Sequence, residues 1–378
     1  MKDKILFFYL KTGGGHLAPA KAVAEWITNN ESNRAEVKLC DGFESAPQFL
    51  KSIIEDGYRK SQASFKWVFE LLYLVNKLKP IGWLSSYLVG FFIAKSLTKL
   101  IESEMPTKIV VFHFFLIKPI YAIIRRKGLA IPILTVVTDP FTAHPIWFIE
   151  RNQQFVVFSD SLKNYLVSTK KITPESISVF PFIINHRFDE QVDSKKLEQV
   201  CRNLNIGMES EIILLLGGAD GIPNGAKLLR KLAKANFNSP VVLVCGRNER
   251  LYAKAQAIKK ELKFDRLRVL GYIDYVRELL SISEVVITKC GASTFMEVLY
   301  SKKIPLVNSF IWEQEKGNVD FVCNNNLGLY EPSPEKITAL IGRIIESRPL
   351  GHWFKDNIEK MRLVNGTPQV STFILNKM

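Results

Sequence analysis

Along the 378-residue chain, short apolar runs rich in Val, Ile and Leu alternate with amphipathic stretches about every dozen residues. Runs of this kind, too apolar to have a solvated face, are strands of parallel sheets covered on both sides. They fall at 5–10, 37–39, 109–112, 133–137, 155–158 and 177–180, and again at 212–216, 241–244, 267–270, 285–288 and 305–307. The stretches 18–28, 228–234, 253–262 and 294–300 carry helical periodicity and predict covering helices. The fold class is therefore α/β, built from βαβ units. The length exceeds one core and suits two domains of roughly 100–200 residues. The most polar, least periodic segment near the middle, 186–196, is placed as the linker. This gives a first domain over 1–185, a second over 197–349, and a closing segment, 350–378, expected to pack back on the first domain.

The five cysteines are scattered without CxxC spacing and read as reduced packing residues, with neither zinc site nor disulfide framework. The apolar start is too short for a signal sequence, so a cytoplasmic protein is expected. Of the net charge of +14, twelve Lys/Arg against three Glu lie between Arg59 and Lys127, which are the flanks of the most apolar region. There, FKWVFELLYLV (65–75) is followed by PIGWLSSYLVGFFIA (80–94). The uncharged 80–94 stretch falls short of the ~20 residues of a transmembrane helix. Basic flanks beside Trp, Tyr and Phe suit peripheral contact with an anionic membrane surface; the alternative is buried helices of the first domain with ordinary solvated lysines around them. No helix-turn-helix, RNP or zinc-finger pattern supports nucleic acid as a partner.

Four segments carry chemistry. Lys11-Thr12-Gly13-Gly14-Gly15-His16 joins the first strand to a helix; the glycines admit another molecule to main-chain N–H groups, and His16 follows at the strand's carboxyl end, where open α/β sheets bind ligands. After the strand at 285–288, the small-residue turn Cys290-Gly291-Ala292-Ser293 and the following helix offer N–H groups to a diphosphate, and Glu297 one turn on is placed to accept from two ribose hydroxyls. Trp312 to Asn318, WEQEKGN, offers amide and carboxylate groups for a hexose. Gly217-Gly218-Ala219-Asp220-Gly221 is a fourth turn of the phosphate-facing kind. Each segment also has an ordinary structural reading: a buried histidine, a solvated helix Glu, a charged loop, a tight turn.

Taken in order, these segments resemble glycosyltransferase family 28, specifically its monogalactosyldiacylglycerol synthase and processive diacylglycerol glucosyltransferase branch. The resemblance rests on Thr12 to His16, on Thr138-Asp139 with His144-Pro145 and Trp147-Phe148, and on Gly217-Gly218. It extends through Cys245 to Asn248, Thr288-Lys289 with Gly291 and Glu297, and Gln314 to Asn318. It implies a GT-B architecture: two Rossmann-like parallel-sheet domains facing a central cleft, the first handling acceptor and membrane, the second most of a UDP-sugar. It further implies an inverting transfer of a hexose to a diacylglycerol-type lipid with no cofactor and no metal. On that analogy His16 is the general base or its close partner, and its imidazole is expected near its ordinary pKa of ~6.5. Gly14, Gly15, Asp139, His144 and Trp147 lie on the acceptor and membrane side. The donor is held by Gly217, Gly218, Arg247, Gly291, Ser293, Thr294 and Asn318, with Glu297 on the ribose, Gln314 and Glu315 on the sugar, and Tyr272-Ile273 on the uracil. UDP-glucose, UDP-galactose and UDP-N-acetylglucosamine all remain open as donors. The competing functions are transfer to a polyprenyl-diphosphate-linked cell-wall precursor and a catalytically silent nucleotide-sugar- or membrane-binding protein. Three departures stand out: Lys11 where plant-type relatives carry Asp, His113-Phe114 where relatives read His-Pro, and Cys290 to Ser293 in place of a turn richer in glycine and proline.

Overall fold

Two six-stranded sheets, every strand pair parallel, organise the chain. The computed structural model describes residues 2–57, 71, 74–76, 79–311, 313–346 and 348–378. Most of the apolar segment 65–75, the basic residues Arg59, Lys60, Lys66 and Lys77, and Trp312 lie outside the described residues.

The first unit comprises Met1–His186, Trp312–Gln314 and Asn365–Met378. It runs β1 (Asp3–Tyr9), α1 (Leu17–Asn30), β2 (Ala35–Asp41), α2 (Lys79–Glu104), β3 (Lys108–Val111), α3 (Phe114–Lys127), β4 (Ile133–Val136), β5 (Gln154–Val157), α4 (Asp160–Ser168) and β6 (Ile177–Val179). Its sheet order is β2-β1-β3-β4-β5-β6. Chain progression reverses between β1 and β3, which pair from Ile5–Lys108 to Phe8–Val111. That reversal is a switch point, where strand ends splay and leave room for a ligand.

The second unit, Arg187–Ile311 with Glu315–Val364, repeats the plan. Its elements are α5 (Ser194–Leu204), β7 (Ile212–Leu216), α6 (Gly225–Ala235), β8 (Val241–Val244), α7 (Glu249–Glu261), β9 (Leu267–Leu270), α8 (Val276–Ser281), β10 (Ser283–Lys289), α9 (Ala292–Tyr300), β11 (Ile304–Ser309), α10 (Lys316–Asn324), β12 (Leu329–Tyr330), α11 (Pro334–Glu346) and α12 (Pro349–Lys360). The order β12-β11-β10-β7-β8-β9 puts its switch point between β7 and β10. From the Val285–Ile213 pair to the Ile287–Leu215 pair both central strands are apolar and fully buried. Every strand expected from the sequence is present; the two-residue β12 is too short to leave a periodic signal.

Two expectations change. The segment placed as a linker, 186–196, holds a 3-10 turn (His186–Phe188) and the first residues of α5, whose N-terminus Asp193 caps by accepting from the Lys195 N–H at 2.9 Å. The closing segment divides: α12 stays with the second unit, and only Asn365 onward, carrying α13 (Thr367–Lys377), joins the first. There Asn365 Oδ1 accepts from the Ile184 and Thr367 N–H groups, and Lys108, almost fully buried, donates to the carbonyls of Ile374 and Leu375. These bonds tie α13 down against α1, the helix that His16 opens.

The apolar region is also more regular than the sequence suggested. Residues 80–94 belong to α2, 26 residues long, in which Pro80–Glu104 is long and apolar enough, by length and composition alone, to cross a membrane. Gly90 faces Pro119 of α3 and does not break the helix. Val89, Ile93, Leu97 and Ile101 bury one side in the core. Trp83, Leu84, Tyr87, Leu88 and Phe91 leave the other side exposed, Phe91 by 71%.

A Cβ on Gly366 would stand 1.8 Å from the Pro181 carbonyl oxygen, so the tail is seated through a backbone contact that only glycine permits. Gly366→Ala is expected to cost about 1–3 kcal/mol, read as a lower urea midpoint. An unchanged midpoint would show that the tail is not seated this tightly.

Candidate active site

At the first unit's switch point the turn after β1 meets the end of β3. Gly13 adopts φ +72°, a left-handed conformation that favours glycine, whereas a Cβ on Gly14 or Gly15 would meet nothing within 4 Å. The second and third glycines therefore leave open space against the backbone. His16 stands at the N-cap position of α1 but makes no capping bond. Its Nδ1 lies 3.0 Å from the Phe112 carbonyl and 2.7 Å from Thr138 Oγ1. A carbonyl can only accept, so Nδ1 carries the proton and Nε2 keeps its lone pair. Nε2 has no partner among the described residues. The rings of His113, Phe114 and Trp147 surround the imidazole at centroid distances of 4.4, 6.3 and 5.9 Å. Burial among them pushes its pKa down to about 4, against the ordinary value the sequence suggested.

His113 is fixed in the opposite tautomer. Its Nδ1 accepts from the Phe115 N–H, capping α3, so Nε2 carries the proton and donates to Thr12 Oγ1 at 2.9 Å. It thereby ties the glycine turn to β3. Neither His113 nor Thr138 had a role assigned from sequence; a residue that acts through another's tautomer leaves no spacing signature.

The acceptor-side expectations divide. Trp147 is fully buried, so it is not a membrane or acceptor contact; its indole N–H donates to Asp139 Oδ2 at 2.8 Å and holds that carboxylate in place. Asp139 Oδ1 accepts from the Gln314 amide at 3.2 Å. His144 is buried and caps the Pro145–Phe148 turn through Nδ1.

In the second unit the turn after β7 and the N-terminus of α9 adjoin: Thr294 Oγ1 lies 3.6 Å from where a Gly218 Cβ would stand. Gly291 caps α9 without a side-chain bond, and the buried Ser293 Oγ has no partner. The Arg247 N–H donates to the Ala219 carbonyl at 2.7 Å, stitching the turns after β7 and β8 together, and its guanidinium lies 5.4 Å from the Tyr272 ring. Tyr272 is 67% exposed, and Ile273 beside it packs on the second unit's core. Glu297, part-buried in α9, has no hydrogen-bond partner among the described residues, and desolvation pushes its carboxyl up to about 7. Glu315 differs from its expected role on a sugar: it is buried, Oε2 accepts from the Ile311 N–H at 2.6 Å, and Oε1 lies 3.6 Å from Lys289 Nζ. A carboxylate held at both oxygens is a brace for the loop. Asn318 donates to the Cys290 carbonyl at 2.9 Å, leaving its buried Oδ1 unpartnered.

The family model for monogalactosyldiacylglycerol synthase matches residues 16–183, and that for the glycosyltransferase family 28 C-terminal domain matches 212–314. The chain belongs to glycosyltransferase family 28. Within the family it is similar to a processive diacylglycerol beta-glucosyltransferase of Bacillus subtilis, 25% identical over 99% of this chain and 95% of that protein. It is similar also to a probable chloroplastic monogalactosyldiacylglycerol synthase of Nicotiana tabacum, 23% identical over 96% of this chain and 66% of that protein. Among solved structures, a glycosyltransferase from Rickettsia africae superposes with a TM-score of 0.61 at 16% identity, each chain covered completely. The Anabaena protein HepE in complex with UDP-glucose gives 0.61 at 9% identity, covering 99% of each chain. The fold is the GT-B glycosyltransferase fold.

His16 titrates near 6.5 once unfolded but near 4 when folded. Below pH 6.5 the unfolded chain binds a proton that the folded one refuses, so this contribution to stability is complete above 6.5 and is lost as pH falls towards 4. Between pH 7.5 and 5, urea unfolding of His16→Gln is expected to lose roughly 2 kcal/mol less than wild type. Equal losses would mean that His16 is not held neutral.

Proposed function

We propose that the protein transfers a hexose from a UDP-sugar to a diacylglycerol-type lipid at a membrane surface, with inversion at the anomeric carbon and without a metal. The observation that carries this is His16: neutral, its Nδ1 held by a carbonyl, its Nε2 unpartnered beside a glycine turn open to an approaching molecule. The acceptor oxygen attacks the anomeric carbon and gives its proton to Nε2. The bond to the diphosphate breaks with its electron pair going to UDP. Charge on that leaving group is met by the N-terminus of α9, by Ser293 Oγ and by the turn at Gly218, which are donors a diphosphate can use in place of a metal. Glu297, a carboxyl with no protein donor, suits two ribose hydroxyls; Asn318 Oδ1 is the nearby group left for a sugar hydroxyl. The names of the relatives, which act on diacylglycerol or make monogalactosyldiacylglycerol, support the lipid acceptor.

The exposed stripe of α2 supports peripheral attachment. The opposite side of that helix is part of the first unit's core, so spanning a bilayer would expose it to lipid and dismantle the sheet packing. Five large side chains each gain on the order of 1 kcal/mol on reaching the interface, and each nearby Lys or Arg adds about 1 kcal/mol on an anionic leaflet. That is enough for reversible adsorption.

His16→Ala is expected to lower turnover on diacylglycerol vesicles by ~10²-fold or more, whereas Glu297→Ala should mainly weaken UDP binding, measured by calorimetry. Activity within about threefold of wild type for the first, or an unchanged UDP affinity for the second, would remove that assignment. Wild-type turnover should show no fall through pH 6.5 attributable to His16, whose limb belongs near pH 4. In vesicle sedimentation, Phe91→Asp should weaken binding to phosphatidylglycerol vesicles about tenfold, and equal sedimentation would exclude α2 as the membrane face.

A further inference from the structure

In the transfer proposed above His16 takes a proton at Nε2, and a buried imidazole that gains a proton becomes a buried cation. What faces its other nitrogen then decides how strong a base it can be. The turn after β1 brings Nδ1 against two acceptors from different strands. The Phe112 carbonyl, just past β3, lies 3.0 Å away, and Thr138 Oγ1, two residues past β4, lies 2.7 Å away. Phe112 is itself anchored, its N–H donating to the Phe8 carbonyl at 2.8 Å. His16 and Thr138 are both buried, the threonine 2% exposed, so bulk solvent does not screen the contact.

The two acceptors differ in what they contribute. The carbonyl fixes the tautomer, because it can only accept. With the proton on Nδ1, the Thr138 oxygen is a second acceptor for the same N–H. Both bonds are neutral in the resting protein. Once Nε2 is protonated, Nδ1–H belongs to an imidazolium, and a hydrogen bond from an ionised donor is roughly twice as strong as a neutral one. The hydroxyl therefore holds the ring more tightly as the proton arrives, and interactions that strengthen towards the transition state are the ones that speed a reaction.

A carboxylate usually fills this place behind a histidine base, yet none is bonded to His16 among the described residues. His113, whose ring contacts it at 4.4 Å, is kept neutral by its own burial. Phe114 and Trp147 carry no charge. Asp139, next in the chain to Thr138, turns one oxygen to the Trp147 indole and the other to the Gln314 amide. Lys11, at the start of the same turn as His16, is paired with Asp41 at 3.0 Å.

We propose that Thr138 is the positioning partner of His16, its hydroxyl standing where a carboxylate would complete a dyad and supporting the imidazolium through Nδ1–H. The proposal rests on the hexosyltransferase reading above and names the side chain that tunes its base. Bond making is unchanged: the acceptor proton goes to Nε2, and the Nδ1 proton stays where it is.

The test uses the full-length chain. Thr138→Val keeps the shape and removes the oxygen, Thr138→Ser restores the oxygen, and Thr138→Asp puts a carboxylate in its place. Turnover is read on phosphatidylglycerol vesicles containing diacylglycerol, with UDP-glucose, UDP-galactose and UDP-N-acetylglucosamine in turn. NMR follows the His16 imidazole against pH, its resonance identified by its loss in His16→Gln, and thermal unfolding checks that each variant folds. Thr138→Val is expected to lower kcat about tenfold or more with KM for the UDP-sugar unchanged, the loss of a hydrogen bond to a charged group, and Thr138→Ser to recover most of that loss. Thr138→Asp should raise the His16 titration, and the acid limb of kcat/KM with it, from near 4 by about one pH unit or more. Turnover of Thr138→Val within about twofold of wild type, equal losses in the Val and Ser variants, or a His16 titration unmoved in Thr138→Asp overturns the assignment. A wild type that transfers sugar from none of the three donors overturns the transfer function instead, and the NMR titration then decides the contact between Thr138 and His16 by itself.

Discussion

The chemistry of the first unit depends on one hydrogen bond, from His16 Nδ1 to the Phe112 carbonyl. It crosses the switch point from the turn after β1 to the end of β3 and selects the tautomer that leaves Nε2 with its lone pair. The surrounding packing serves this arrangement. His113 secures Thr12 at the start of the glycine turn, and α13 braces the helix that begins beside His16. The aromatic rings keep the imidazole neutral. In the proposed transfer, a base with a pKa near 4 is weak in the resting protein, so proton uptake at Nε2 would follow the anomeric bond change closely rather than precede it.

The second unit presents a helix N-terminus, an unpartnered serine hydroxyl and an uncompensated carboxyl at its own switch point, a set of groups with unmet hydrogen-bonding capacity. In the first, one side of α2 belongs to the core and the other faces outward.

The parallel sheets, the glycine turn with His16 and the α9 turn with Glu297 could all be read along the chain, because each is a local pattern: a run of apolar residues, three adjacent glycines, a small-residue turn before a helix. Gln314 and Glu315 were singled out for the same reason, as a polar pair in a loop. The fold gave them other duties, with the Gln314 amide on Asp139 and the Glu315 carboxylate on Ile311 and Lys289. Trp147 was placed on the acceptor and membrane side by the family resemblance and is instead buried, its indole holding Asp139.

By itself, the sequence determined the α/β class, the two-part organisation and the segments where chemistry sits, since hydrophobic period and backbone-permissive residues act over a few positions. Only the tertiary structure decided which histidine nitrogen is free, which carboxylates are already engaged, that α2 has a core side and an outer side, and that Thr138 meets His16. Those outcomes depend on partners distant along the chain, such as Phe112 for His16 and Asp139 for Gln314, and on desolvation, which exists only once the packing is complete.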